Sequence, residues 1–131
     1  MKLTKYLIKS LLCEDPSVYG SNYRANDFPF EVTEEELKEL KTNYHCDSLN
    51  EKAEEYWDSH GIEVVENKTS DTDLEKAIET KDIVFKFDDK YYSFSYDYSP
   101  YVDDEDVIGS EPTEVRPVTK TITVYEVVKG G

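Results

Sequence analysis

Residues 83–98 read IVFKFDDKYYSFSYDY, and their hydrophobic side chains recur at every second position on both sides of Asp88-Asp89. A period of two is typical of a strand with one buried face, and a short polar turn between two such runs indicates a β-hairpin. The sequence therefore predicts a hairpin over about 82–98. By strand alternation, Phe94 shares one face with Tyr92, Tyr96 and Tyr98, and this face is expected to be turned toward the core.

The flanking segments predict shorter elements around this hairpin. Downstream, a loop leads to Pro117, which marks the start of a last strand at about 118–128, because proline is tolerated at the first position of a strand. Upstream, the residues at 62–65 predict a short strand and those at 67–71 a turn. The spacing of Leu74, Ala77 and Ile78 then predicts a short helix over 72–80.

The first half of the chain has the periodicity of helices. Helices are predicted over 2–13, from 34 to about 45, and from 48 to about 59. Thr33 with Glu36, and Ser48 with Glu51, match the capping box that opens a helix. The side chains expected to face inward are Leu37, Leu40, Tyr44, Ala53, Tyr56 and Trp57, and the aromatic residues Tyr19, Tyr23, Phe28 and Phe30 of the intervening loop are expected over the core.

Helices first and an antiparallel sheet last predict an α+β fold, with the N-terminal helices packed on the C-terminal sheet. The length of 131 residues suits one domain over 1–131, with a helical part at about 1–60 and a strand-helix-sheet part at about 61–131.

Net charge restricts the partners of this chain. It carries 30 acidic residues against 15 basic ones, a formal charge of −15. Such a surface repels nucleic acids and anionic membranes, so neither is expected as a direct partner. The excess is uneven, because residues 31–58 hold ten acids and three lysines. A solvated face is the ordinary interpretation of such a run, and the alternative is a fixed anionic surface that a basic protein recognises.

No motif for catalysis or for a bound ion is present. His45 and Cys46 are adjacent while Cys13 and His60 are distant, and this is not the paired spacing of a zinc site. The acids that follow Asp103 lack the glycine of a calcium loop. The sequence therefore predicts no catalytic residues, no metal and no cofactor. Without a secretory signal, the cytoplasm is the expected compartment and the cysteines are expected to be reduced.

The chain is small and acidic, and it also contains two distinctive stretches. One is rich in tyrosine, KYYSFSY at 90–96, and the other is rich in β-branched residues, EVRPVTKTITVYE at 114–126. In this combination the chain resembles small acidic early proteins of bacteriophages that disable host defence. That class includes anti-CRISPR and anti-restriction proteins, some of which imitate DNA. The resemblance implies a non-enzymatic inhibitor in the cytoplasm of a bacterial host, and it assigns no residue a role.

The predicted function is thus an inhibitor that occupies the basic nucleic-acid cleft of a host nuclease, a CRISPR effector first and a restriction enzyme second. The partner-binding residues are expected in an acidic loop with two tyrosines and in a second acidic patch: Asp103, Asp104, Glu105, Asp106, Tyr101, Tyr91, Glu54, Glu55 and Asp58. The alternative is a structural or adaptor protein that binds a host factor, or itself as a homodimer, through aromatic surfaces.

Overall fold

The computed structural model describes residues 1–73, 75, 78–98, 108–118, 123, 125, 127 and 128. Three α-helices precede a four-stranded sheet. In chain order the elements are α1 (Lys5–Cys13), a single 3-10 turn (Ala25–Asp27), α2 (Glu34–Asn43), α3 (Asp47–His60), β1 (Glu63–Asp73), β2 (Ile78–Phe87), β3 (Lys90–Tyr98) and β4 (Thr113–Val115).

The sheet has the order β1-β2-β3-β4, and each neighbouring pair is antiparallel. The predicted hairpin is present as β2 and β3, with Phe85 opposite Tyr92 and Ile83 opposite Phe94. The α+β class, with helices first and an antiparallel sheet last, is confirmed.

One face of the sheet packs against α1. One buried group contains Leu7, Ile8 and Leu11 of α1 and Leu3, which precedes the helix. Its other members are the strand residues Ile83, Phe85, Phe87, Phe94 and Tyr96, together with Ile62, which precedes β1. Because side chains alternate along a strand, the opposite face carries Thr80, Asp82, Ser95 and Asp97, and these polar groups bond across β2 and β3. The α1 side chains therefore cover the apolar face of the sheet and leave the polar face outward.

A second group of buried residues lies beneath α2, α3 and the loop that follows α1. It contains Tyr6, Val18, Tyr23, Phe28, Leu40, Cys46, Leu49 and Ala53, and Trp57 packs against both groups. Tyr23 and Phe28 lie over the core as expected, with Phe30 partly buried against it.

The helix starts agree with the predicted caps in one case out of two. Thr33 and Glu36 form the reciprocal capping box of α2. The Ser48 box is wrong, because α3 begins at Asp47 and Ser48 lies inside it. Its hydroxyl instead donates to Oε2 of Glu36 at 2.9 Å. Ser48 therefore bonds a residue of α2 instead of capping its own helix.

The turn at 67–71 and the helix over 72–80 are also wrong. Strand β1 continues to Asp73, and Thr72 lies opposite Glu79 in the ladder with β2. Residues 78–80 belong to β2, while 74, 76 and 77 lie outside the described residues. Pairing of β1 with β2 satisfies the hydrogen-bonding groups of both backbones. This stabilisation outweighs the weak helical preference that the spacing of three apolar residues indicates.

The last strand differs from the prediction as well. Strand β4 is Thr113–Val115, which pairs with Tyr91–Ser93 before Pro117. Of the predicted strand at 118–128, the described residues 118, 123, 125, 127 and 128 belong to no strand, and the others lie outside the described residues. Tyr125, Val127 and Val128 are almost fully exposed, so no burial supports a strand at those positions.

The β2–β3 turn offers a test of the hairpin. Asp88 and Asp89 both have positive φ, at 49° and 64°, a conformation that favours glycine. The Asp88 carboxylate contacts Nδ1 of His60 at 2.8 Å, whereas that of Asp89 is solvent-exposed. We expect Asp89→Gly to raise the free energy of unfolding by about 0.5 kcal/mol, through relief of backbone strain. Asp88→Gly should lower it, and urea denaturation of both variants measures the difference.

Candidate functional site

Carboxylates line the exposed face of α3. This face carries three predicted partner-binding residues, Glu54, Glu55 and Asp58. It also carries Asp47 and Glu51. The separations of three, four and seven residues place all five side chains on one side of the helix. The opposite side buries Leu49 and Ala53. We refer to Asp47, Glu51, Glu54, Glu55 and Asp58 as the acidic stripe.

The acidic stripe contains no lysine or arginine, and His45 contacts only its first residue, Asp47. The one lysine of α3, Lys52, turns to the other side and bonds Glu36. Glu51, Glu54, Glu55 and Asp58 form no ion pair with a described residue. Like charges at these spacings cost roughly 0.2–0.5 kcal/mol a pair. The arrangement thus opposes the stability of α3 and concentrates negative charge on one surface.

A buried ionic contact fixes α3 against α2. Glu36 is only 6% exposed. Its Oε1 accepts from Nζ of Lys52 at 2.6 Å and from Thr33, and its Oε2 accepts from Ser48. Burial alone would raise the pKa of Glu36, but the bonds from Lys52, Thr33 and Ser48 outweigh it and lower the pKa to about 2. The stripe is therefore carried on a helix whose position is fixed by charge-assisted bonds.

The other predicted site residues do not join this surface. Tyr91 lies on β3 opposite Lys86 and Val115, which by alternation is the sheet face turned away from the helices. Tyr101 and the acids Asp103, Asp104, Glu105 and Asp106 lie outside the described residues. Of the two predicted acidic patches, the structure thus describes only the one on α3.

Two exposed tyrosines lie near the start of α3, and the sequence pattern missed both. Tyr44 was expected on the buried face of α2 and Tyr19 over the core, yet they are 62% and 64% exposed. Tyr44 follows the last residue of α2 and has a left-handed φ of 59°, so its side chain does not continue the helical periodicity. The Tyr19 ring stacks on the His45 ring with centroids 6.4 Å apart. We refer to Tyr19, Tyr44 and His45 as the aromatic corner.

A cavity of about 770 Å³ lies between the C-terminal part of α1 and the ends of β2 and β3. Tyr6, Tyr23 and Tyr96 contribute to its walls, and two lysines and two carboxylates also line it (Lys9, Lys81, Asp15 and Glu79). Burial raises the pKa of Tyr6 above its usual range, and its hydroxyl donates to the carbonyl of Pro16. Because its charges are balanced, the lining favours neither an anion nor a cation.

The described residues hold no cluster of side chains that could bind a metal ion. No three His, Cys, Asp or Glu side chains among them lie close enough to bind a metal ion. Both cysteines are free, with Cys13 exposed and Cys46 buried beside Glu39 and Ser48. His45 bonds Asp47 and Asn50, and His60 bonds Asp88, so both rings sit in local contacts.

Comparison with protein-family models, with curated proteins and with solved structures found no match to this chain. In the described part of the chain, no helix combines the length and the apolar character needed to cross a bilayer.

Proposed function

We propose that this protein is a non-enzymatic inhibitor of a host defence nuclease, and that the acidic stripe occupies the basic cleft in which the nuclease binds nucleic acid. A CRISPR effector is the first candidate target and a restriction enzyme the second. The setting is the cytoplasm of a bacterial host. The observation that carries the proposal is the arrangement of five exposed carboxylates on one side of α3 with no lysine or arginine among them.

The spacing of the stripe supports an imitation of DNA. Asp47 and Asp58 are eleven residues apart, which corresponds to roughly 16 Å of helix. One strand of duplex DNA carries a phosphate for about every 3.4 Å of axis, or roughly five phosphates in that length. The five carboxylates therefore approach the charge density of one strand.

The free energy of binding would come from ion pairs between the stripe and the basic residues of the cleft. Lysines and arginines that neutralise phosphates would pair with carboxylates at similar separations. Electrostatic attraction of this kind accelerates association and weakens as salt is added. Because α3 is fixed through Glu36 and Lys52, the backbone that carries the charges is in place before binding, and only the exposed side chains must be ordered.

The test neutralises four of the five stripe carboxylates, all except Asp47, and compares the result with an equal loss of charge elsewhere. The stripe variant carries Glu51→Gln, Glu54→Gln, Glu55→Gln and Asp58→Asn. The matched control carries Glu63→Gln, Glu66→Gln, Asp89→Asn and Glu111→Gln, four exposed acids outside the helices. Each variant changes the net charge by the same amount.

We expect the wild-type protein to inhibit DNA cleavage by a guide-loaded CRISPR effector or by a restriction enzyme, and to compete with target duplex. The stripe variant should need more than about tenfold higher concentration for half inhibition at about 0.1 M salt, and the control should remain close to wild type. Equal behaviour of the two variants, or no inhibition of either enzyme class, would contradict the proposal.

A further inference from the structure

We infer that the aromatic corner is an arginine-binding position of the same interface, where a guanidinium group of the partner stacks on tyrosine while it bonds a stripe carboxylate. This inference rests on the proposed function, and it names the side chain that the surface selects.

The corner is continuous with the stripe. His45 stacks on Tyr19, and its Nε2 lies 2.6 Å from Oδ1 of Asp47, the first residue of the stripe. The backbone N–H of Gly20 donates to the carbonyl of Tyr44 at 3.3 Å, so the segments that carry the two tyrosines are adjacent. Aromatic surface and carboxylate thus occur side by side at one end of α3.

The exposure of the two tyrosines is not explained by packing. Each is more than half exposed. Tyr44 also adopts a positive φ, where glycine is the favoured residue and a bulky side chain is unusual. Solvent-exposed aromatic groups next to charged residues are typical of positions that contribute most to binding.

Chemistry favours arginine over lysine at this position. A guanidinium is planar, so one face can stack on an aromatic ring while its edge bonds both oxygens of a carboxylate. The Asp47 side chain is 89% exposed, and although His45 contacts its Oδ1, Oδ2 and a second lone pair of Oδ1 can still accept from a donor. A lysine ammonium is a compact and strongly hydrated charge, and it gains less from the same surface.

The experiment uses two fluorescent peptides, decaarginine and decalysine, whose binding to the full chain is followed by anisotropy. The corner variant carries Tyr19→Ser and Tyr44→Gly. A control variant carries Tyr125→Ser, because Tyr125 is 92% exposed and is distant in sequence from the corner. The stripe variant is measured alongside.

We expect wild type to bind decaarginine at least about fivefold more tightly than decalysine. The corner variant should reduce this ratio to less than about twofold with the affinity for decalysine unchanged, and the control should keep the wild-type ratio. Tyr44→Gly alone should unfold at the same or a higher temperature, which separates loss of binding from loss of structure.

An unchanged ratio in the corner variant, or an equal loss for both peptides, would overturn the inference and leave the proposed function standing. If the stripe variant binds both peptides as wild type does, the proposed function fails instead.

Discussion

Glu36→Gln is expected to lower the free energy of unfolding at pH 7 by about 3 kcal/mol, because the lowered pKa of Glu36 reports that much preference for its ionised form in the folded state. The carboxylate accepts bonds from Thr33 at the start of α2 and from Ser48 and Lys52 of α3, so it joins the two helices. A neutral amide cannot form an ion pair with the ammonium of Lys52, which would keep only its bond to the carbonyl of Glu31 and a weaker bond to the amide oxygen.

The same substitution has a pH signature with a fixed sign. The pKa of Glu36 falls from 4.5 to about 2 on folding, so its contribution is complete above pH 4.5 and is lost as the pH falls toward 2. Urea denaturation from pH 7 to pH 3 should show the gap between wild type and Glu36→Gln narrow by roughly half. A gap that stays constant over this range would mean that Glu36 contributes through shape rather than charge.

Phe85→Ala should lower the free energy of unfolding by about 3–5 kcal/mol, the usual cost of removing a buried aromatic ring. Phe85 is fully buried in the centre of the sheet, with the rings of Tyr92 and Phe94 within 5.8 and 6.0 Å. The cavity would lie directly beneath α1, where several side chains lose contacts at once.

Val84→Ala is the matched control for this prediction, because Val84 is the adjacent residue and points to the opposite, polar face beside Ser93. We expect a loss below about 1 kcal/mol, since Val84 is only half-buried. Losses of similar size in the two variants, measured by urea denaturation, would show that the sheet buries both faces and would contradict the described core.

The candidate site was partly predictable from local pattern. The stripe residues Glu54, Glu55 and Asp58 were expected as a patch because their spacing on a helix is visible in the sequence. The aromatic corner was not, because the same periodicity assigned Tyr44 to the buried face. The left-handed conformation after α2 removes Tyr44 from that periodicity. No glycine stands at this position to indicate in the sequence that the helix ends there.

The misassigned helix over 72–80 has a related cause. The spacing of Leu74, Ala77 and Ile78 is only a weak local indication of a helix. The competing structure is the β1–β2 ladder, in which Thr72 lies opposite Glu79. Strand pairing depends on both partners, so neither segment alone shows it.

By itself, the sequence determined the α+β class, the β2–β3 hairpin, the capped start of α2 and the excess of carboxylates, because periodicity, caps and charge are local or additive properties. Only the tertiary structure decided that Ser48 and Lys52 meet Glu36, that Trp57 joins the two buried groups, and that Tyr19 lies beside His45. Those contacts join residues that are distant along the chain, and they form only when helices, loop and sheet pack together.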